Sequence, residues 1–295
     1  MKKNLHTWLT TGLILSNLLF AHAQIEASDD SVKHSKSSYL LIGLSYNNDW
    51  VYMGRSDSLA SPYMMPNIEY NHKSGIFISS SLSYLTSKSI QRVDLISIML
   101  GYHYSNDVTS SGISAIGYFF NDDSYNIQAE MNLYASAWFI YDFDLVEAGL
   151  SAAIGLSGTA DGFSSVELRR SFYLLNGDLK IRPGIEANWG TQQYYNEYLQ
   201  YRSSSFGNNH MKGKGPGGGQ GAGSTVVVEK VSKFRLLDYE FSIYAQYDLN
   251  EILLYSEATY AVPFNPAEVT IDDVTFEESL GNKFFWEAGI SYSIF

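Results

Sequence analysis

The feature that most limits what this chain can become is a period-two alternation of apolar and polar residues, sustained over segments about twice as long as an ordinary soluble strand. From 146 to 156 every even position is apolar, against Glu147, Gly149, Ser151, Ala153 and Gly155. Leu179, Ile181, Pro183, Ile185, Ala187 and Trp189 alternate with Lys180, Arg182, Glu186 and Asn188. Tyr239, Phe241, Ile243, Ala245 and Tyr247 alternate with Glu240, Ser242, Tyr244 and Gln246. Between 125 and 141 the odd positions are Tyr, Ile, Ala, Met, Leu, Ala, Ala, Phe and Tyr, separated by Asn126, Gln128, Glu130 and Asn132 among others. Successive side chains of a strand point to opposite faces, so each segment presents one apolar stripe and one polar stripe. About ten such residues cross a bilayer as one stave of a closed barrel, whereas a sandwich strand needs only five or six.

The spacing of these segments predicts an all-β fold: a single transmembrane antiparallel β-barrel of 12 strands. Strands are expected near 38–47, 64–72, 75–85, 91–105, 110–120, 125–141, 144–158, 164–175, 178–191, 233–248, 251–263 and 283–295. The tight turns at 71–74, 105–109, 142–143, 176–177 and 249–250 then share one end, and the long connections 48–63, 192–232 and 264–282 share the other. Outer-membrane barrels sort their connections in this way, with short turns in the periplasm and long loops outside. Segment 164–175 decides the count. The phase that turns Val166, Leu168, Phe172 and Leu174 to lipid also turns Arg170 there, at a cost of about 2–4 kcal/mol at the midplane and close to zero near the interfaces. Without that segment the barrel has 10 strands.

Residues 1–23 combine Lys2 and Lys3, an apolar run over 9–20 and the small-x-small ending Ala21, His22, Ala23, the pattern of a secretory signal peptide. Residues 24–37 are polar and read as a periplasmic tail, leaving 38–295 for the barrel. Cysteine is absent, which removes disulfides, thiol nucleophiles and thiolate metal sites. A net charge of −12 disfavours nucleic acid as a partner. The expected partners are outer-membrane lipids and lipopolysaccharide, and the barrel assembly machinery during biogenesis. No cofactor or metal is expected.

The final segment sets Phe284, Trp286, Ala288, Ile290, Tyr292 and Ile294 on one face and ends in Phe295. It resembles the C-terminal assembly signal of outer-membrane proteins, with the terminal Phe one residue out of phase. The stretches FYLLNGDLKIRPGIEANWGTQ (172–192) and YAVPFNP (260–266) also resemble segments of uncharacterised outer-membrane barrels from the Bacteroidota. That resemblance covers mainly the C-terminal half and contains no catalytic motif. It implies location and fold and no activity.

Several features could carry chemistry. The stretch GKGPGGGQGAG (213–223) has linker composition and lacks the terminal Lys-Ser or Lys-Thr of a phosphate loop. Tyr194, Tyr195, Tyr198 and Tyr201 before it fit a rim girdle, with glycan or protein contact as the alternative. Glu268, Asp272, Asp273, Glu277 and Glu278 form an acidic outside loop without calcium-loop spacing. After the signal peptide the histidines are His34, His72, His103 and His210, none expected on the outer half of a strand beside a serine, so no hydrolase or protease constellation is formed.

Counted from the turns, Arg169, Glu186, Glu240, Glu257 and Glu287 face inward at about mid-depth. Glu130 is expected higher, and Lys180, Arg182, Glu147 and His103 near the periplasmic mouth. Hairpin pairing is expected to bring Arg169 close to Glu186 and Glu240 close to Glu257. Two readings fit these residues. In one, the acids line a narrow, cation-preferring pore for small solutes. In the other they form a polar network that fills a closed lumen, and the barrel is structural or adhesive through its loops.

Overall fold

The computed structural model describes residues 37–57, 60–87, 90–124, 126–195, 226–229, 232–271, 274–278 and 280–295. The expected signal peptide, nearly all of the tail, and 213–223 lie outside them, as do Tyr198, Tyr201, His34 and His210. The strands are β1 (Tyr39–Asn47), β2 (Tyr63–Asn71), β3 (Ile76–Thr86), β4 (Gln91–Ser105), β5 (Thr109–Phe120), β6 (Leu133–Asp142), β7 (Glu147–Leu156), β8 (Ala160–Arg169), β9 (Phe172–Leu174), β10 (Leu179–Gly190), β11 (Val226–Glu229), β12 (Arg235–Leu249), β13 (Ile252–Pro263), β14 (Glu268–Ile271), β15 (Val274–Glu277) and β16 (Lys283–Ile294).

Every neighbouring pair is antiparallel, and the pairings β1–β16 and β10–β12 close the sheet on itself. The staves of this ring are β1 to β7, β8 with β9, β10, β12, β13 and β16, the 12 expected from the sequence. Closure leaves no edge, which hydrocarbon demands because an unpaired backbone N–H or C=O there costs several kcal/mol. For this strand number, spacing and tilt the backbone cylinder is about 24 Å across.

The outward face is apolar along every stave, as with Ile42, Leu44, Ile96, Ile98, Leu150, Ile154, Ile185, Phe241, Ile243 and Ile290, all exposed at the protein surface. An aqueous protein would not present such a band, so the barrel is transmembrane. The inward face buries Ser45, Asn71, Ser79, Ser81, Ser83, Ser114, Ser136, Ser151 and Ser165 together with the charged residues described below. Three serine pairs bridge neighbouring staves, Ser81 to Ser97 at 2.7 Å, Ser114 to Ser136 at 2.9 Å and Ser151 to Ser165 at 2.8 Å.

Segment 164–175 is a stave. Its ladder is interrupted at Arg170 and Ser171, where the facing Pro183 has no N–H to donate. Arg170 points outward as expected. It donates to the Leu145 carbonyl at 2.9 Å and covers the Phe172 ring at 5.2 Å, beside the short-turn end where the cost of a lipid-facing arginine is small.

One strand differs from expectation. Residues 121–124 and 126–132 carry turns and no strand, and β6 begins only at Leu133. The apolar Ile127 and Met131 face the inside of the barrel, 1% and 0% exposed, instead of lipid. Asn121 accepts from the Asp123 N–H and Asn126 from the Gln128 N–H, so side-chain turns compete successfully with the ladder. The long-loop end also holds a small sheet, β11–β14–β15, so part of the 192–232 connection is strand.

Cross-strand packing inside the barrel uses glycine opposite aromatic. Trp138 lies across Gly112, and Tyr255 across Gly289, each directly opposite its glycine, where an added Cβ would run into the ring. Gly112→Val should therefore destabilise the folded barrel by about 1–3 kcal/mol through overpacking. Gly162→Ala, with nothing near the new methyl, should stay within about 0.5 kcal/mol. Urea unfolding in lipid vesicles measures both.

Candidate functional site

The lumen has two parts, a charged panel on one wall and a plug folded in from the long-loop end. The panel is built by β8, β10 and β12, whose inward residues stack in rows. Glu186 stands directly opposite Glu167 on one side and Glu240 on the other. In the next row toward the long-loop end, Asn188 stands between Ser165 and Asp238; in the next row toward the short turns, Gly184 stands between Arg169 and Ser242. Three carboxylates thus face one another across three adjacent staves, an arrangement that like-charge repulsion disfavours unless positive charge is supplied.

Arg169 supplies one such charge. Its Nε donates to Glu147 at 2.7 Å, while its Nη1 is 3.9 Å from Glu167. Ser171 also donates to Glu147, at 2.8 Å. Glu186 is diagonal to Arg169, and Glu147 stands directly opposite it on β7. Glu240 faces Glu186 and Ala261, while Glu257 faces Tyr244 and Glu287. The turn after β12 centres on Asn250 and Glu251, which shifts this register from the one expected. Glu287 accepts from the Tyr255 hydroxyl at 3.2 Å. Nearer the short turns Arg182 lies 4.7 Å and Lys180 5.9 Å from the Tyr244 ring centroid. Glu130 belongs to the turns of 126–132 and not to the wall.

The plug begins with the loop after β1. Asp49 accepts from the N–H groups of Trp50 and Ser61 at 2.9 and 2.8 Å, turning the chain inward. Burial pushes the Asp49 carboxyl above its ordinary range, and those two N–H bonds oppose the shift. Trp50 and Val51 are buried, as are Tyr52 and Met53 of the two-residue hairpin that follows them. That hairpin closes with Tyr52 and Arg55 exchanging backbone bonds of 2.7 and 3.0 Å, and Met53 and Gly54 take φ of 50° and 71°. A side chain at Gly54 would collide with Pro263 and Asp238, so the hairpin tip rests on the outer edge of the panel.

Two other segments join it, each tied to an aspartate near the top of a stave. Asp94 accepts from the hydroxyls of Tyr63 and Ser124 and from Arg92. From Ser124 the chain of bonds continues through Asn126 and Gln128 to the Trp50 indole. Asp161 accepts from the Thr191 hydroxyl at 2.5 Å and from the N–H groups of Gln193 and Tyr194, both at 2.7 Å. Tyr194 and Tyr195 are consequently buried and do not sit in a rim girdle. The rings of Tyr52, Phe163 and Tyr194 meet at 5.0 to 5.9 Å.

Arg55 locks the assembly. It donates to Glu278 at 3.3 Å and to the carbonyls of Met53, Phe264 and Asn265 at 3.1 to 3.2 Å. Against this, the buried hydroxyls of Tyr52, Tyr118, Tyr134 and Tyr194 find no hydrogen-bond partner among the described residues. Each such group costs about 1–3 kcal/mol, so the closed packing carries a penalty that withdrawal of the loop into water would relieve. Burial holds the Tyr52 and Tyr194 phenols far above their ordinary pKa, so they remain neutral.

His72 sits in the first short turn, its Nδ1 paired with Ser74 at 2.8 Å as a local cap, and His103 lies beside Phe77 near the same end of the barrel. The chain has no native cysteine, so a single one reports cleanly on the plug. Met53→Cys should react slowly with a hydrophilic maleimide in the folded protein. Adding Arg55→Ala should raise the labelling rate at least tenfold, equivalent to about 1.4 kcal/mol of lost closure.

The sequence matches no protein-family model and no curated protein. Among solved structures the chain is similar to the KdgM porin, with 11% identity, 86% of this chain and 99% of that one covered, and a TM-score of 0.46. It is similar to the COG4313 outer membrane channel from Pseudomonas putida F1, with 9% identity, coverage of 88% and 95%, and a TM-score of 0.45. It is also similar to LpxR from Salmonella typhimurium, with 11% identity, coverage of 87% and 99%, and a TM-score of 0.39. Likenesses this distant assign no activity, substrate or partner to the chain.

Proposed function

We propose that this chain is an outer-membrane channel that passes small solutes through a narrow lumen with a preference for cations, and that the inward-folded loops form its outer closure. The carrying observation is the row Glu167, Glu186 and Glu240 on a low-dielectric wall, facing across the ring the inward serines Ser79, Ser81 and Ser83 of β3. Fixed negative charge in such a wall attracts cations and repels anions. What fills the outer end is loop, held by hydrogen bonds and the Arg55 lock, and loops move where a wall does not. The outer-membrane location rests on the apolar outward band and the segregation of short turns from long loops. Kinship with Bacteroidota barrels rests on the segments 172–192 and 260–266.

A second reading takes the same bonds as permanent: a closed structural or adhesive barrel whose polar interior is a satisfied network. The Glu147, Arg169 and Ser171 cluster and the chain of bonds from Asp94 to Trp50 favour it.

Planar-bilayer recordings under a salt gradient separate the two. The channel reading expects a reversal potential favouring cations, a conductance that rises in Arg55→Ala, and a several-fold smaller cation-to-anion permeability ratio in the double variant Glu240→Gln, Glu257→Gln. No current above the empty bilayer from either folded wild type or folded Arg55→Ala contradicts the channel and supports the closed barrel.

A further inference from the structure

We propose that the carboxylate row of β8, β10 and β12 is a docking rail for linear aliphatic diamines and polyamines, which names the solute class of the proposed channel and rests on that reading for its transport role. The first ground is charge. Glu147, Glu167, Glu186, Asp238 and Glu240 occupy neighbouring positions on four staves, and among the described residues the guanidinium groups nearest to them are Arg169, bonded to Glu147 and 3.9 Å from Glu167, and Arg55, bonded to Glu278. Five acidic side chains set around the one guanidinium of Arg169 give this wall an attraction for more than one positive charge from solution.

The second ground is shape. The carboxylates do not converge: among the described residues no three acids or histidines gather as a metal ion requires. They stand in line instead, on staves about 4.8 Å apart, so the row extends over about 10 Å. A short methylene chain sets two ammonium groups about one to two strand spacings apart, matching successive carboxylates along the row.

The third ground is what lies above the row. The Tyr134 hydroxyl, 0% exposed and without a hydrogen-bond partner among the described residues, faces in from β6 within electrostatic reach of Glu186. Tyr52 and Tyr194 join it from the plug. A buried hydroxyl in that position accepts a hydrogen bond from an ammonium N–H, and neutral aromatic rings attract cations while packing on the methylenes. Glu240 Oε1, also lacking a hydrogen-bond partner among the described residues, offers a further acceptor on the rail.

The test is calorimetric titration of the full-length folded protein in detergent with 1,4-diaminobutane and spermidine, against n-butylamine and magnesium chloride. The rail expects spermidine and the diamine to bind at least tenfold more tightly than butylamine, and magnesium more weakly than spermidine. Glu186→Gln and, separately, Glu240→Gln should each weaken spermidine at least tenfold. Glu69→Gln, on β2, should change it less than twofold. Equal affinities for diamine and butylamine in the wild type, or magnesium binding as tightly as spermidine, overturn the proposal without any need for a variant. Binding is measured apart from conduction, so a protein that conducts cations but shows no diamine preference loses this inference and keeps the channel. A protein that binds spermidine but passes no current keeps the rail and loses the channel.

Discussion

Everything in this molecule depends on pairing the backbone with itself in a medium that offers no water. A single unpaired stave would leave a row of N–H and C=O groups in hydrocarbon at several kcal/mol each, so the sheet must close. Closure here runs through β1 with β16 and β10 with β12, and it fixes the rest. Once the ring is shut, the pleat sends alternate side chains to lipid and to an enclosed interior. Ile185 and Glu186 are adjacent in the chain and live in opposite solvents.

Closure also decides which charges meet. In an antiparallel ring, neighbours on one row come from different staves, so a residue's electrostatic partners are set by register and not by nearness in sequence. Arg169 meets Glu147 across β7 and β8; Glu186 meets two like charges. The inward serines of β3 to β7 line the interior beside that wall, and the inward loops fill its outer part. Their apolar residues pack as a core would, with aspartates at the stave ends turning the chain inward. The closed state balances a strong lock at Arg55 against tyrosine hydroxyls that the packing leaves unbonded.

Much of this was legible from the residues alone. The outward phases of 146–156, 179–189, 239–247 and 284–294 and the stave count follow from alternation, because the bilayer imposes one rule on every crossing segment. The turns of 121–124 and 126–132 were not legible by that rule. Alternation records only that apolar and polar residues take turns, and Ile127 and Met131 meet a protein interior as readily as lipid. Two signals point the other way: the turn-forming Asn121, Asp122 and Asp123, and a segment of 17 residues from 125 to 141 where about ten suffice to cross. Burial of Tyr194 and Tyr195 depends on Asp161 from another stave, a contact with no local trace. The direct opposition of Glu186 and Glu240 was hidden for a different reason. It depends on pairing between β10 and β12, which a long connection joins, so no turn fixes the register in advance.

The central claim is that β10 and β12 divide their side chains between lipid and a polar interior. Single spin-labelled cysteines along 180–188 and 239–247, in the folded protein in lipid vesicles, test it through accessibility to oxygen and to a water-soluble relaxing agent. The account predicts a period of two, with Ile181, Ile185, Ala187, Phe241 and Ile243 open to oxygen and Lys180, Arg182, Glu186 and Tyr244 shielded from it. A flat profile, or one in which the charged positions are those exposed to hydrocarbon, would contradict it.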